Sequence, residues 1–226
     1  MFNDISSRLK QKIKERPLFH SDESIINQVG PYTFCSKDKL RSLIKLGNYI
    51  NSQKIPGDLV ECGTCKGGSA AVISRYLGKD RHLWLYDSFE GMPETSNKDG
   101  EKAKEYVGKG VASEEDVCEV LKLVGTNLDQ VTIKKGFFHH SFTEKTPEKI
   151  AFLHCDADWY ESVILVLRTF YHLIPDGGVI VLDDFGYWEG CREAFYDFCK
   201  EYNIKPLVER VSSDQLFWYK GKISNR

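Results

Sequence analysis

Acidic residues stand where three of the predicted strands end, and their positions suggest shared chemistry. Asp87 ends HLWLYD, Asp156 ends IAFLHCD and Asp183 ends GVIVLD, with Asp158 and Asp184 close behind. Because parallel strands end at one edge of a sheet, the carboxylates of the last two strands should converge. Converging carboxylates raise each other's pKa unless a cation lies among them, and oxygen ligands suit Mg2+ or Mn2+. The alternative is that Asp183 or Asp184 only caps a helix while Asp156 faces solvent.

A glycine-rich turn, ECGTCKGG, follows the first predicted strand. A dinucleotide fingerprint would need a glycine at position 65, where Cys65 would keep the backbone away from a pyrophosphate. The turn therefore disfavours NAD and better fits a nucleoside with a zwitterionic amino-acid tail. Asp87, at the end of the next strand, could accept both ribose hydroxyls. The structural alternative is a tight turn with a capping aspartate.

The elements that would position these residues alternate regularly after residue 57. Strands are predicted at residues 58–62, 82–87, 130–135, 150–156, 178–183, 205–211 and 215–220. Helices are predicted at residues 69–77, from 113 onward, at 161–174 and at 189–202. This alternation is typical of an α/β fold with a mostly parallel sheet and helices on both faces. The closing hairpin would add one antiparallel strand.

The region before the first strand is predicted to be helical. Residues 1–56 contain no predicted strand, and residues 36–54 form one amphipathic pattern. We expect residues 1–56 to form an N-terminal helical cap beside a single structural unit at residues 57–226. At 226 residues with 41% hydrophobic side chains, the chain can bury a sizeable core.

Charge and composition exclude several classes of protein. A formal net charge of -2 lacks the basic excess of a dedicated nucleic-acid binder. We expect no membrane span and a cytoplasmic location, because no apolar run could span a bilayer and the start MFNDISSRLKQKIKERPLFH lacks a signal peptide's apolar core. The seven cysteines are expected to be reduced. Cys62 and Cys65 have the spacing of a redox or zinc motif, but no second Cys or His pair accompanies them.

Five stretches in the same order resemble the macrocin O-methyltransferase family. They are GDLVECGTCKGGS (57–69), YDSFEGMP (86–93), DADWYES (156–162), GGVIVLDD (177–184) and CREA (191–194). The resemblance extends from about residue 33 to residue 204. It implies a Rossmann-like class I methyltransferase sheet of seven strands, one of them antiparallel. It also implies an enzyme that uses S-adenosylmethionine and Mg2+ (or Mn2+) to methylate a sugar hydroxyl of a natural product or glycan.

The resemblance assigns roles to particular residues. Asp156, Asp183 and Asp184 would hold the metal ion, and Asp158 would be the general base. Phe34 departs from the family, which has methionine at this position. The implied cofactor-binding residues are Thr33, Glu61, Gly63, Gly67, Gly68, Ser69, Asp87, Ser88, Gly136, Phe137 and Asp156.

Some residues and functions stay open at this stage. His139 or His140 could serve as a base or contact the acceptor, whereas His154 is expected to be a neutral core histidine. Residues 88–110 could form a lid or a solvated loop. The alternative functions are methylation of a catechol-like molecule, NAD-dependent oxidation and a non-catalytic scaffold. The sequence also leaves the oligomeric state open, a homo-oligomer included.

Overall fold

The computed structural model describes residues 21–221, which build one seven-stranded sheet flanked by helices. The first twenty residues of the predicted cap lie outside the described residues. The strands are β1 (Asp58–Cys62), β2 (Leu83–Asp87), β3 (Val131–Lys135), β4 (Ile150–Cys155), β5 (Val179–Leu182), β6 (Glu209–Val211) and β7 (Gln215–Tyr219). The α-helices are α1 (Asp22–Val29), α2 (Lys37–Ser52), α3 (Gly68–Ser74), α4 (Glu114–Leu123), α5 (Phe138–Ser141), α6 (Tyr160–Phe170) and α7 (Glu189–Glu201).

The strand order is β3-β2-β1-β4-β5-β7-β6. The pairs from β3 to β5 are parallel, and β7 runs antiparallel to both of its neighbours. The prediction of a mostly parallel sheet with one antiparallel strand is therefore confirmed. The order reverses between β1 and β4, so the carboxyl ends of these two strands flank the crevice where ligands bind in open α/β sheets.

Helices cover both faces of the sheet, as predicted. Leu59 and Leu85 face a layer formed by α1 to α4, whereas Val60 and Tyr86 face α6 and α7. Side chains alternate between the two faces of a strand, so both sets are buried, which explains the continuous apolar runs in the sequence. Among residues 21–221, no helix is long and apolar enough to cross a membrane.

From residue 21 to the first strand, two α-helices are present where the sequence predicted one. Helix α2 is close to the predicted span of residues 36–54, but α1 was missed. Serine side chains cap both helices: Ser21 Oγ accepts from Ser24 N at 3.2 Å, and Ser36 Oγ accepts from Lys39 N at 3.3 Å. Both helices pack into the apolar layer that also holds α3. The division at residue 56 remains a prediction.

The sixth strand is shorter than predicted. The sequence suggested residues 205–211, but β6 begins only at Glu209. Pro206 has no backbone N–H to donate to a ladder, and β6 lies at the edge of the sheet, where it has a single partner strand. Leu207 and Val208 are exposed. The other strands begin and end within about one residue of the prediction.

Candidate active site

The turn after β1 lies directly against the end of β4. Gly63 has a φ of 88°, and a Cβ at this position would stand 1.7 Å from the carbonyl oxygen of Asp156. Gly63 N donates to Tyr86 O at 2.8 Å, and Asp156 N donates to Cys62 O at 2.9 Å. Only glycine allows this approach, because any side chain would collide with the backbone. The predicted cofactor turn and the predicted metal acids therefore meet where the strand order reverses.

A cavity of about 860 Å³ opens at this point, within the range typical of small-molecule sites. Most of the chemically reactive residues predicted from the sequence line it. The lining includes Gly63, Asp87, Ser88, Phe137, Asp156, Asp158, Asp183 and Asp184. The predicted cofactor residues outside this lining are Thr33, Glu61, Gly67, Gly68, Ser69 and Gly136. A Cβ on Gly68 would stand 2.7 Å from the Cβ of Thr33, so these two residues pack against each other behind the wall.

Asp87 shapes the glycine-rich turn. Its Oδ2 accepts a hydrogen bond from Cys65 N at 2.7 Å, and its Oδ1 accepts one from Phe89 N at 2.7 Å. Cys65 has a positive φ of 47°, an uncommon conformation for a non-glycine residue that this hydrogen bond helps to hold. Each carboxylate oxygen keeps a second lone pair for another donor. Asp87 can therefore hold the turn and bind a hydroxyl in the cavity.

Three other aspartates gather around Asp156 on the wall of the cavity. Asp156, Asp158 and Asp184 each offer one oxygen, and these oxygens lie within 4.8 Å of one another. Asp156 and Asp183 form a second such group with the Cys35 thiol. Asp156 thus lies close to both Asp183 and Asp184. Among residues 21–221, however, no single set of ligand atoms within 4.8 Å of one another contains all three aspartates. The buried Oδ2 of Asp184 has no hydrogen-bond partner among the described residues.

Asp183 is held by three side-chain nitrogens and also faces the Cys35 thiol. Lys39 Nζ lies 2.6 Å from Oδ2, and Gln215 Nε2 donates to Oδ1 at 2.7 Å. The Nε2 of His154 is 3.4 Å from the same Oδ1. Asp183 is 3% exposed and Lys39 is 7% exposed, so this ion pair is shielded from water. Asp183 is the aspartate of the cluster with the strongest positive surroundings.

The aspartates differ in their pKa values because, within the described part of the chain, only Asp183 has positively charged side chains in direct contact. Burial raises the pKa of Asp156, Asp158 and Asp184, and neighbouring carboxylates raise each further, that of Asp184 to about 6. Burial also opposes ionisation of Asp183, but His154 and Lys39 outweigh it and hold its pKa well below the usual range. Clusters of carboxyl groups with such perturbed pKa values are typical of functional sites.

His154 differs from the sequence expectation. Its Nδ1 lies 2.8 Å from Glu61 Oε1, and its Nε2 faces Asp183 on the other side. Burial lowers the pKa of His154, but hydrogen bonds to Asp183 and Glu61 outweigh this effect and raise it to about 9. The expectation of a neutral core histidine was therefore wrong, because two buried carboxylates stabilise the imidazolium. Glu61, predicted to bind the cofactor, is fully buried against this ring.

Asp158 adopts a strained backbone next to an indole donor. Its φ is 55°, and such left-handed conformations persist at non-glycine residues only where the surroundings enforce them. Trp188 Nε1 donates to Asp158 Oδ1 at 2.8 Å. The Trp188 ring lies edge-on to Trp159, with 4.8 Å between ring centroids. Asp158 is thus held in one orientation at the cavity wall.

The long segment at residues 88–110 is anchored at both its ends and its middle. Met92 N donates to Lys109 O at 2.8 Å, which closes the neck of the loop. The buried Asp99 accepts from Tyr160 N, the first residue of α6, at 2.6 Å. Trp159 Nε1 donates to Pro93 O at 3.0 Å. These contacts favour a fixed wall of the cavity over the alternative of a solvated loop.

Aromatic rings line another part of the cavity. The rings of Phe137 and His139 are nearly parallel, with centroids 6.1 Å apart and an interplanar angle of 10°. Both residues line the cavity. Phe34 also lines it and is 85% exposed.

Sequence reasoning missed three residues around the acids: Lys39, Trp188 and Gln215. For Lys39 a signal was present, because it shares one face of α2 with the buried Leu43, Leu46 and Ile50. A lysine at a core-facing position needs a buried partner of opposite charge. Trp188 follows Asp184 closely but carries no distinctive spacing, and Gln215 reaches the site only through the antiparallel β7.

Comparison with known proteins decides the family. The sequence profile of the macrocin-O-methyltransferase (TylF) family matches residues 11–220. The chain belongs to the macrocin O-methyltransferase family. As a member of this family it is an O-methyltransferase, which favours this function over the oxidoreductase and scaffold alternatives.

This macrocin O-methyltransferase family member has named relatives. The 8-demethyl-8-(2,3-dimethoxy-alpha-L-rhamnosyl)-tetracenomycin-C 4'-O-methyltransferase of Streptomyces olivaceus is 31% identical over 196 residues, 83% of this chain and 75% of that protein. The mycinamicin III 3''-O-methyltransferase of Micromonospora griseorubida is 26% identical over 175 residues, 73% of this chain and 68% of that protein.

Solved structures share the fold. The O-methyltransferase NovP superposes with a TM-score of 0.75 at 23% identity, covering 83% of this chain and 81% of that chain. An O-methyltransferase from Bacillus cereus in complex with SAH gives a TM-score of 0.57 at 15% identity, covering 94% and 97%. The sheet is therefore a Rossmann-like methyltransferase sheet, as predicted.

Proposed function

We propose that this enzyme transfers the methyl group of S-adenosylmethionine to a sugar hydroxyl, on a glycan or a glycosylated natural product, with the help of Mg2+ or Mn2+. One observation carries the proposal: buried and half-buried aspartates cluster around Asp156 beside a cavity at the reversal of strand order. The relatives named above support the acceptor class, because the name of one specifies a rhamnosyl compound.

The residues that would hold the cofactor belong to the β1 turn and the end of β2. Asp87 keeps lone pairs for the ribose hydroxyls while it holds the backbone of Cys65. Phe137 and His139 offer nearly parallel rings to the adenine, and Gly63 leaves the turn without a side chain. The cofactor would supply a methyl group already activated on a sulfonium. The protein must then supply an oxygen nucleophile and hold it in line.

The donor set fits a hard divalent cation. The carboxylates are oxygen ligands, three of them have raised pKa values through burial and mutual repulsion, and Asp184 keeps an unpartnered buried oxygen. Asp156, Asp183 and Asp184 would hold the ion, since Asp156 is grouped with each of the others. A cation bound there would lower the pKa of an acceptor hydroxyl.

Asp158 is the proposed general base. It lines the cavity next to Asp156, and burial raises its pKa, which makes it a better proton acceptor than an exposed carboxylate. Trp188 fixes Oδ1 through the indole N–H, so the remaining lone pairs can take the hydroxyl proton. Holding base, hydroxyl and methyl donor in one geometry supplies much of the acceleration in such a transfer.

The acceptor is proposed to lie against the anchored segment and the aromatic rings. Met92, Trp159, Tyr187 and Trp188 line this part of the cavity. Aromatic faces beside a few polar groups suit the apolar faces of a sugar ring, and aromatic side chains with a polar tip are common in such sites.

The test is methyl transfer from labelled S-adenosylmethionine to a panel of rhamnosylated compounds, nucleotide-activated sugars and catechols. We expect transfer to a sugar hydroxyl that stops in EDTA and returns with Mg2+. Full activity in EDTA would contradict the metal role, and transfer to catechols alone would contradict the acceptor class. Asp183→Asn should lose most activity while its affinity for S-adenosylmethionine stays nearly unchanged.

A further inference from the structure

The structure assigns to Lys39 the role of a built-in cation of the aspartate cluster. The Lys39 ammonium group pairs with Asp183 in the metal-free protein, and it therefore weakens the binding of a divalent cation. This inference rests on the proposed function, because it takes the cluster as the metal site. It concerns a residue that sequence reasoning did not connect with the site.

The position of Lys39 is unusual for a lysine. It lies in the first turn of α2 on the same side as the buried Leu40 and Leu43, and only 7% of it is exposed. Lys39 is one of the residues that line the cavity, and its ammonium group lies 2.6 Å from Asp183 Oδ2. Removing an ammonium group from water is costly, so a buried lysine is retained where a carboxylate compensates it.

The charges around Asp183 explain the competition. Asp156 and Asp183 offer oxygens within 4.8 Å of each other, so an ion bound by Asp156 would lie next to the carboxylate that Lys39 already neutralises. Two positive charges close together in a poorly solvated site repel strongly. The ion would also share the lone pairs of Asp183 with Lys39, Gln215 and His154. Lys39 therefore opposes the ion electrostatically and occupies one of its ligands.

A purely structural role for Lys39 predicts the opposite result. If Lys39 only held Asp183 in position as a ligand, its loss would misplace that carboxylate and weaken metal binding. If Lys39 is a competing cation, its loss would strengthen metal binding. The sign of the change in affinity thus separates the two roles.

The experiment compares Mn2+ binding by calorimetry in the wild-type protein, Lys39→Met, Lys39→Arg and Lys45→Met. Lys45 is exposed on the same helix, so Lys45→Met is the matched control. We expect Lys39→Met to bind Mn2+ about tenfold more tightly or better, as removal of a nearby positive charge predicts. Lys39→Arg and the control should stay close to the wild type.

A second readout guards against a variant that folds poorly. Without its cation the cluster repels itself, so metal-free Lys39→Met should melt at a lower temperature, and saturating Mn2+ should raise its melting temperature more than that of the wild type. Equal or weaker Mn2+ affinity in Lys39→Met, or an unfolded variant that Mn2+ does not rescue, would overturn the inference alone. A wild type that binds no Mn2+ would overturn the metal role in the proposed function, and the inference with it.

Discussion

The indole Nε1 of Trp188 donates to Asp158 Oδ1 at 2.8 Å, which ties the proposed base to the aromatic wall of the cavity. Trp188→Phe would keep the ring but remove this hydrogen bond. We expect kcat to fall about ten- to hundredfold, because a hydrogen bond to a charged group contributes about 1.5–3 kcal/mol. Affinity for S-adenosylmethionine, measured by calorimetry, should not change.

The chain offers a matched control for this substitution. Trp84 Nε1 donates to Asp58 Oδ2 at 2.9 Å, at the opposite end of the strands. Trp84→Phe should lower the free energy of unfolding and leave kcat unchanged. A Trp188→Phe enzyme with wild-type kcat would show that the indole does not orient Asp158 for catalysis.

Much of the fold could be predicted from the sequence because each element carries a local signal. The apolar runs that became β1, β2, β4, β5 and β7 are bounded by turn residues. Ser113 and Asp116 form the capping box that opens α4. Helix α1 was missed because it is only eight residues long and most of its residues are polar or charged. The first part of the sixth strand was wrongly predicted because an apolar pattern does not reveal an edge position.

The candidate site was predictable where it depended on strand ends and not where it depended on long-range partners. Asp156 and Asp183 could be placed together because parallel strands end at one edge. The donors around Asp183 come from positions as distant in sequence as Lys39 and Gln215. No local sequence pattern predicts that a lysine of α2 and a histidine of β4 contact the same carboxylate.

Asp87 should contribute to cofactor affinity through both oxygens. Asp87→Asn would keep one acceptor oxygen, so either Cys65 N or Phe89 N would lose its partner, and the ribose would lose a charged acceptor. We expect affinity for S-adenosylmethionine to fall about tenfold or more, consistent with the strength of charge-assisted hydrogen bonds. Calorimetry with the cofactor, and with Mn2+ as a second ligand, measures both affinities.

The matched control for that substitution is Asp58→Asn. Asp58 also accepts two hydrogen bonds, from His82 N and Trp84 Nε1, but at the amino ends of the strands. The Asp58→Asn variant should be less stable than the wild type but should keep the wild-type affinity for S-adenosylmethionine. If both variants lose cofactor affinity equally, the effect of Asp87 is a general loss of structure.

Gly63 should tolerate no side chain. In Gly63→Ala the new Cβ would stand 1.7 Å from Asp156 O in a backbone with φ 88°, so β1 and β4 would have to separate. We expect the free energy of unfolding to fall by about 4 kcal/mol or more, and Mn2+ and cofactor binding to be lost together. Gly125→Ala is the control: its φ is 80°, but a Cβ there meets nothing within 4 Å. It should cost about 1–2 kcal/mol, the cost of a left-handed conformation alone. Similar losses in the two variants would show that β4 does not approach Gly63 this closely.

Asp184 should make the metal-free protein less stable as the pH rises. Its pKa is raised to about 6 by burial and by Asp183, so between about pH 4 and 6 the folded state holds a proton that the unfolded chain has already released. The free energy of unfolding therefore falls as the pH rises through this window, and it has fallen by the full amount above about pH 6. Asp184→Asn keeps the shape and removes the charge. It should stabilise the metal-free protein by about 3 kcal/mol at pH 7.5 and by little at pH 4, as urea unfolding would measure.

In saturating Mn2+ at pH 7.5 the wild type should be more stable than Asp184→Asn, the reverse of the order in the metal-free protein. The ion would compensate the ionised carboxylates of the wild type, whereas Asp184→Asn would have lost a ligand and gain less from the ion. A stabilisation by Asp184→Asn that is equal at pH 4 and pH 7.5 would exclude ionisation of Asp184 as its cause. A stabilisation confined to metal-free protein at high pH would mean that the cluster stores electrostatic repulsion that a bound cation releases.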